Sequence, residues 1–229
     1  MTVTLTRYME LKSAVITLKS NTPLPPRPDH LRGFIGSTFH NQTILHQHEE
    51  EGVAYRYPLV RYTVLNGAAT ILGYEKGAET LKEIYLLLTS IVMGHSTYKI
   101  LERSIKVGFV EYGSTENPHH YRFASPWLAL SQENYAHFKA SSETERWELL
   151  SRILVGNLIS ASKGLSYTVP SRINAEFRHL HQVPCRLKGV PVTGFRGDFT
   201  VNFRIPDLFG LGKSVSRGFG LVKPLEEVE

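Results

Sequence analysis

Apolar and β-branched residues recur through 9–19 (MELKSAVITLK), a pattern that predicts a strand. A proline-rich turn follows at 23–28. Leu31, Phe34, Ile35 and Phe39 then fall at helical spacing, with Asp29 as the expected N-cap of a helix over 30–39. Residues 40–54 are polar and read as a loop. The alternation in YRYPLVRYTVL (55–65) predicts a second strand, Asn66-Gly67 a two-residue hairpin turn, and AATILGY (68–74) the return strand. Over 75–92, Leu81, Ile84, Tyr85, Leu88 and Ile91 repeat at helical spacing, and SIKVGFVEY (104–112) reads as a strand. The order β-α-β-β-α-β is that of a ferredoxin-like unit.

The second half follows a similar plan without repeating the sequence. GSTENPHH (113–120) reads as a turn-rich linker and FASPWLALS (123–131) as a strand. A helix is expected over 143–163, where Leu149, Leu150, Ile153, Leu154, Asn157 and Leu158 crowd one side. Ser142 and Glu145 have the spacing of a capping box, and Gly164 would sit just past the end. Residues 183–206 hold two or three strands, with turns at Lys188-Gly189 and Gly194, and GLVKP closes the chain as a last strand. The fold class expected is α+β, as two tandem ferredoxin-like modules with antiparallel sheets and helices on one face. The modules are placed at 1–113 and 121–229.

The composition fits two packed modules. In 229 residues, 41% are hydrophobic and 21% charged, which permits a buried core and argues against wholesale disorder. No apolar run reaches the roughly 18 to 20 residues of a membrane span. The start, MTVTLTRYMELK, lacks the plan of a secretory signal. Cys185 is the single cysteine, so no internal disulfide or paired-cysteine zinc site can form. The expectation is a soluble, cytoplasmic protein with no membrane partner. The net charge of +5 is modest, but it is unevenly spread. Residues 163–223 carry ten bases and three acids, a net +7, against −2 elsewhere. This is either a solvated face or a surface for a polyanion.

That stretch contains GLGKSVSRGFG (210–220). Gly210, Gly212, Gly218 and Gly220 let backbone N–H groups turn toward one anion and let a polyanion approach closely. Lys213 and Arg217 add charge, and Ser214 and Ser216 add donors. A nucleotide-phosphate loop is a poor alternative, because its first glycine would fall at Asp207. A plain glycine-rich turn is the other. A phosphodiester backbone suits the loop, and Arg172, Arg178 and Arg196 form a second group of backbone contacts. Trp127 and Trp147 read as core rather than as stacking platforms.

The polar loop between the first helix and second strand concentrates His40, His46 and His48, followed by Tyr55 and Tyr57. In an extended segment His46 and His48 point to one side. Histidine serves as acid or base near neutral pH, so two can divide proton transfer without a metal. Alternatives stay open: exposed histidines without a role, or a zinc or manganese site with one of Glu49 to Glu51. His40 reads as a helix-end residue.

The loop GLG-KSVSR-GFG resembles the C-terminal glycine-rich loop of the CRISPR-associated endoribonucleases that process repeat RNA. The segments 125–135, 145–165 and 194–207 resemble the C-terminal module of the type I-B branch, and 30–62 its N-terminal module. The branch's His-x-His, with Tyr seven residues after the second His, falls on His46, His48 and Tyr55. The resemblance implies CRISPR repeat RNA as partner and cleavage by the substrate's own 2′-hydroxyl, with no metal or cofactor. It implies His46 and His48 as acid and base in undecided order. Tyr55 either donates to the phosphate, stacks on a base or belongs to the core. Subunits of a CRISPR interference complex and a second copy of the chain are further partners it leaves open. The alternatives are a non-catalytic repeat-RNA-binding subunit and a metal-dependent hydrolase.

Overall fold

Alternating burial over thirteen residues makes Tyr8–Ser20 the first strand, β1, of a computed structural model that describes residues 8–45 and 57–225. Ala14, Ile16 and Leu18 point into the core from one face of β1. Helix α1 (Pro28–Thr38) starts with its proline in the first turn, and Arg27, not Asp29, is the N-cap residue. Proline is favoured there because its missing N–H would be unpaired anyway. Asp29 instead lies in the first turn, and Arg27 donates to both of its carboxylate oxygens at 3.2 Å. Strands β2 (Val60–Leu65) and β3 (Ala68–Tyr74) follow. They are joined by Asn66 (φ 50°) and Gly67 (φ 77°), the two positive φ angles of the expected turn.

Helix α2 (Lys76–Ile84) ends earlier than the spacing predicts. A 3₁₀ turn (Tyr85–Leu87) leads into β4 (Ser90–Met93) and then β5 (Ser96–Phe123). Leu88 and Ile91 are buried as the periodicity requires, but from an extended chain in which Ile91 and Met93 alternate inward. Burial at these two positions therefore fits a helix or a strand equally.

The chain divides into two compact units. The first holds Glu10–Val110 and Ser216–Gly218, and its strands run in the order β2-β3-β1-β5, with β4 on β5. That is ferredoxin-like order. Leu31 and Ile35 of α1 and Ala78, Leu81 and Ile84 of α2 close one core with Ala14, Ile16, Leu18, Tyr62 and Ile71.

The second unit holds Glu111–Val215 and the chain from Phe219, with the residues up to Met9. Here β5 lies between β7 (Val190–Arg204) and β9 (Leu221–Pro224), with β6 (Ala175–Leu187) on β7 and β8 (Phe209–Gly210) on β9. The order β6-β7-β5-β9 repeats that of the first unit. Helix α4 (Glu143–Gly164) has the full capping box at Ser142 and Glu145 and buries Leu149, Leu150, Leu154 and Leu158. Between its third and fourth strands the first unit has α2. In the second, the chain between the third and fourth strands is the glycine-rich loop, which holds one 3₁₀ turn, Val215–Arg217, and whose residues Ser216–Gly218 group with the first unit.

Four local expectations change. Residues 113–120 belong to β5, where the turn-forming residues are absorbed by an irregularity between Ser114 and His119. Gly194 is paired with Val183 inside the β6–β7 hairpin, whose turn is Lys188-Gly189 alone. Residues 124–131 make no strand beyond a bridge between Trp127 and Phe195. Helix α3 (Gln132–Ala140), capped by Ser131, has no counterpart in the sequence reading, because it buries only Phe138 and so shows no apolar period.

Candidate functional site

The glycine-rich loop is built on the extended segment before α3. Trp127 exchanges backbone hydrogen bonds with Phe195 of β7, at 2.8 and 2.9 Å. The carbonyls of its neighbours face the loop: Gly220 N–H donates to Pro126 (2.8 Å) and Lys213 N–H to Leu128 (3.1 Å). Lys213 Nζ donates to the Leu130 carbonyl at 3.0 Å. Leu211 N–H closes the loop's neck on the Gly220 carbonyl at 2.9 Å. Leu211, Lys213 and Gly220 thus commit their backbone donors to protein, which leaves the crest Ser214 to Arg217, where Ser214, Ser216 and Arg217 are half-exposed around a buried Val215. Burial lowers the Lys213 ammonium below its ordinary value.

Two glycines answer to this packing. Gly212 has φ 89°, and a Cβ there would lie 2.6 Å from Trp127 Nε1. That ring is fully buried, donates to Asn157 Oδ1 at 2.9 Å and stacks on Phe123. Gly220 has φ 64°, and a Cβ would lie 1.9 Å from the Leu211 carbonyl oxygen, across the neck. Gly220→Ala is expected to cost about 2 kcal/mol or more, from left-handed strain plus the clash. Chemical denaturation checks this. An unchanged midpoint would show that the neck opens without cost.

Arg178 and Arg196 lie together, and Arg172 lies apart. In the second unit Phe195, Phe199, Val201 and Phe203 point into the core, so Arg196 and Asp198 point to the opposite face of the sheet. His181 pairs with Arg196 and His179 with Asp198, placing both histidines on that face, with Arg178 at the adjoining irregularity. Arg122 donates to both Asp198 oxygens, at 2.6 and 2.8 Å, and with the charges of His179 and Arg178 holds that carboxyl below its usual range. Arg172 lines a groove of about 1,020 Å³ between α4 and residues 166–176, with Arg152, Lys163, Val155 and Ile159. Its carbonyl accepts from Asn202 Nδ2.

In the first unit, His40 is exposed just beyond α1. His46, His48 and Tyr55 lie outside the described residues, as do Glu49 to Glu51. Among the described residues no group of three or more His, Cys, Asp or Glu side chains is placed to hold a metal, and this covers His179, His181 and Cys185. No described helix is long and apolar enough to cross a membrane. The sequence reading missed the carbonyl ladder of Pro126, Leu128 and Leu130. The only trace of it is an apolar run beside a proline.

Comparison with known proteins bears on both units. Residues 9–110 match the family model described as the Cas6b N-terminal domain, and 113–225 match the Cas6b C-terminal domain. A crystal structure of Cas6b superposes with a TM-score of 0.88 at 31% identity, over 95% of this chain and 100% of that one. A crystal structure of the CRISPR RNA processing endoribonuclease Cas6b does so at 0.76 and 28%, with the same coverage. An uncharacterized protein of Methanocaldococcus jannaschii is 41% identical over 145 residues, which is 63% of this chain and 99% of that protein.

Proposed function

The chain belongs to the Cas6b family, and from that premise we propose that it is an endoribonuclease that cuts precursor CRISPR RNA within its repeats to release guide RNAs for antiviral defence. The observation that carries the reading is the match of both units, over nearly the whole chain, to a family in which a structure named as a CRISPR RNA processing endoribonuclease superposes throughout.

The reaction needs no metal. A base takes the proton of the 2′-hydroxyl, and the resulting oxygen attacks the adjacent phosphorus. The bond to the 5′-oxygen breaks, and an acid protonates that leaving oxygen. The products are a 2′,3′-cyclic phosphate and a 5′-hydroxyl. His46 and His48 divide the acid and base roles, and Tyr55 serves the scissile phosphate or a flanking base. The crest Ser214 to Arg217, with Lys213 beside it, meets the RNA backbone. Gly210, Gly212, Gly218 and Gly220 let the chain take the shape that presents it. Arg178 and Arg196 add phosphate contacts on their sheet face, and Arg172 adds one beside α4. The protein works in the cytoplasm and passes its product to other interference-complex subunits, acting alone or as a homodimer.

Incubating the purified protein with end-labelled repeat RNA, with and without EDTA, tests this. Equal cleavage in both is expected. Tight, salt-sensitive binding without cleavage would identify a non-catalytic subunit. Activity lost on chelation and restored by a divalent ion would identify a metal-dependent hydrolase.

A further inference from the structure

We propose that the open edge of β5 over residues 101–109 joins the same edge of a second copy of this chain, in an antiparallel pairing centred on Ser104. This concerns assembly and does not rest on the cleavage reading. Strand β5 has β1 along one edge. On the other edge β4 pairs with residues 96–99, and Ile100 N–H donates to the Thr89 carbonyl at 3.0 Å. Past Ile100 no described strand pairs with that edge before Gly113. A bare edge is a template for another strand. This one is also apolar. Of the nine exposed large apolar side chains among the described residues, six belong to this region: Leu86, Leu87, Val92, Leu101, Val107 and Phe109. The other three, Tyr135, Ile159 and Val190, lie singly on other elements. Arg103 Nη1 donates to the Leu86 carbonyl at 2.8 Å, and the Tyr85 hydroxyl donates to the Arg103 carbonyl at 3.1 Å, which fixes Leu86 and Leu87 beside β5. Apolar side chains gathered in this way mark an interaction surface.

The order of residues along the edge selects a second copy as the occupant. In LERSIKVGF (101–109), Leu101, Arg103, Ile105, Val107 and Phe109 alternate with Glu102, Ser104, Lys106 and Gly108, so the two sets take opposite faces. A two-fold contact requires that where one residue faces another, the second faces the first in return. Centred on Ser104, the pairing sets Leu101 opposite Val107 and Glu102 opposite Lys106, each twice. Cross-strand apolar pairs and opposite-charge pairs both stabilise a sheet. A centre at Arg103 or at Lys106 would set two like charges face to face. A centre at Ile105 would put Glu102 opposite Gly108 and pair no charges. Glu102 already bonds Lys19 of β1 at 2.7 Å, so Lys106 of the second copy completes a row of cation, anion and cation across three strands. Charges of one sign along an edge repel a second copy. Glu102 and Lys106, four residues apart and opposite in sign, attract one.

Light scattering on the purified full chain, across a range of concentrations, is expected to show a dimer. Glu102→Lys and Lys106→Glu each set like charges opposite one another twice, and each is expected to weaken the dimer about tenfold or more. Mixed in equal amounts, the two variants are expected to dimerise as the wild type does, because each then meets the opposite charge. Ser104→Cys in a Cys185→Ser background is expected to form a disulfide-linked dimer on oxidation, since a residue on the axis faces itself with Cα atoms about 4.5–5.5 Å apart. Lys106→Cys in the same background is expected to stay unlinked, because its two copies lie roughly 13 Å apart along the strands. Glu102, Ser104 and Lys106 are exposed, so these variants should keep the fold, which circular dichroism checks. A monomer at every concentration overturns the proposal and leaves the edge to a different protein. A dimer indifferent to both charge variants, or one linked through Lys106→Cys and not through Ser104→Cys, overturns this edge and register. None of these measurements uses RNA, so the ribonuclease reading stands or falls separately.

Discussion

Replacing His46 and His48 together with Ala is expected to lower single-turnover cleavage of repeat RNA by about 10⁴-fold or more, with RNA affinity changed by less than about threefold. A general acid or base typically contributes about 10²- to 10⁴-fold. In the proposed mechanism the two act on one phosphate, one taking the 2′ proton and the other supplying the 5′ proton. Groups that work as a unit are not additive, so each single variant should lose much of what the double variant loses. Affinity should hold because the proposed grip lies elsewhere, on the crest Ser214 to Arg217 and on Arg178 and Arg196. The separation of rate from affinity is the decisive measurement. Unchanged rates in the double variant would place the chemistry on other residues. Loss of affinity in step with rate would make the segment a binding element.

Where local chemistry leaves one solution, the fold was legible in the sequence. Asn66-Gly67 has few conformations open to it besides the turn it makes. Ser142 and Glu145 announce the start of α4 because each bonds the other's backbone. Legibility failed where burial has two solutions. Leu88 and Ile91 extend the period of α2 but are buried from extended chain. It failed again where burial is slight, as in α3. At the glycine-rich loop the composition suggested an anion cradle, while the backbone donors of Leu211, Lys213 and Gly220 are taken by carbonyls from Pro126, Leu128 and the loop's own neck. No local pattern links residues 126–130 to 210–220, so that pairing could not be read in advance. The burial of Arg61 was hidden for another reason. An arginine within an alternating strand reads as solvent-facing, and Arg61 is fully buried. His46, His48 and Tyr55 were reached through the family's motif and not through any period.

A repeat RNA with a single 2′-deoxy sugar on the 5′ side of the scissile phosphate is expected to remain uncut while binding almost as well as the all-ribose RNA. The proposed attack uses that one oxygen as nucleophile, so its removal eliminates the reaction and does not merely slow it. Binding loses at most one hydrogen bond, about 0.5–1.5 kcal/mol, or roughly tenfold in affinity at the upper end. The uncut RNA should therefore compete with labelled substrate at a concentration within about tenfold of that needed for the all-ribose RNA. The ends of the all-ribose products give an independent reading. Attack by the 2′-oxygen leaves a 5′-hydroxyl, which a polynucleotide kinase labels directly, and a cyclic phosphate on the other fragment. A metal-activated water, attacking in line from outside the RNA, does not need the 2′-hydroxyl and would cut the deoxy substrate. Cleavage of the deoxy RNA would thus remove the 2′-oxygen mechanism and, with it, the reason for assigning His46 and His48 to the two ends of one proton transfer.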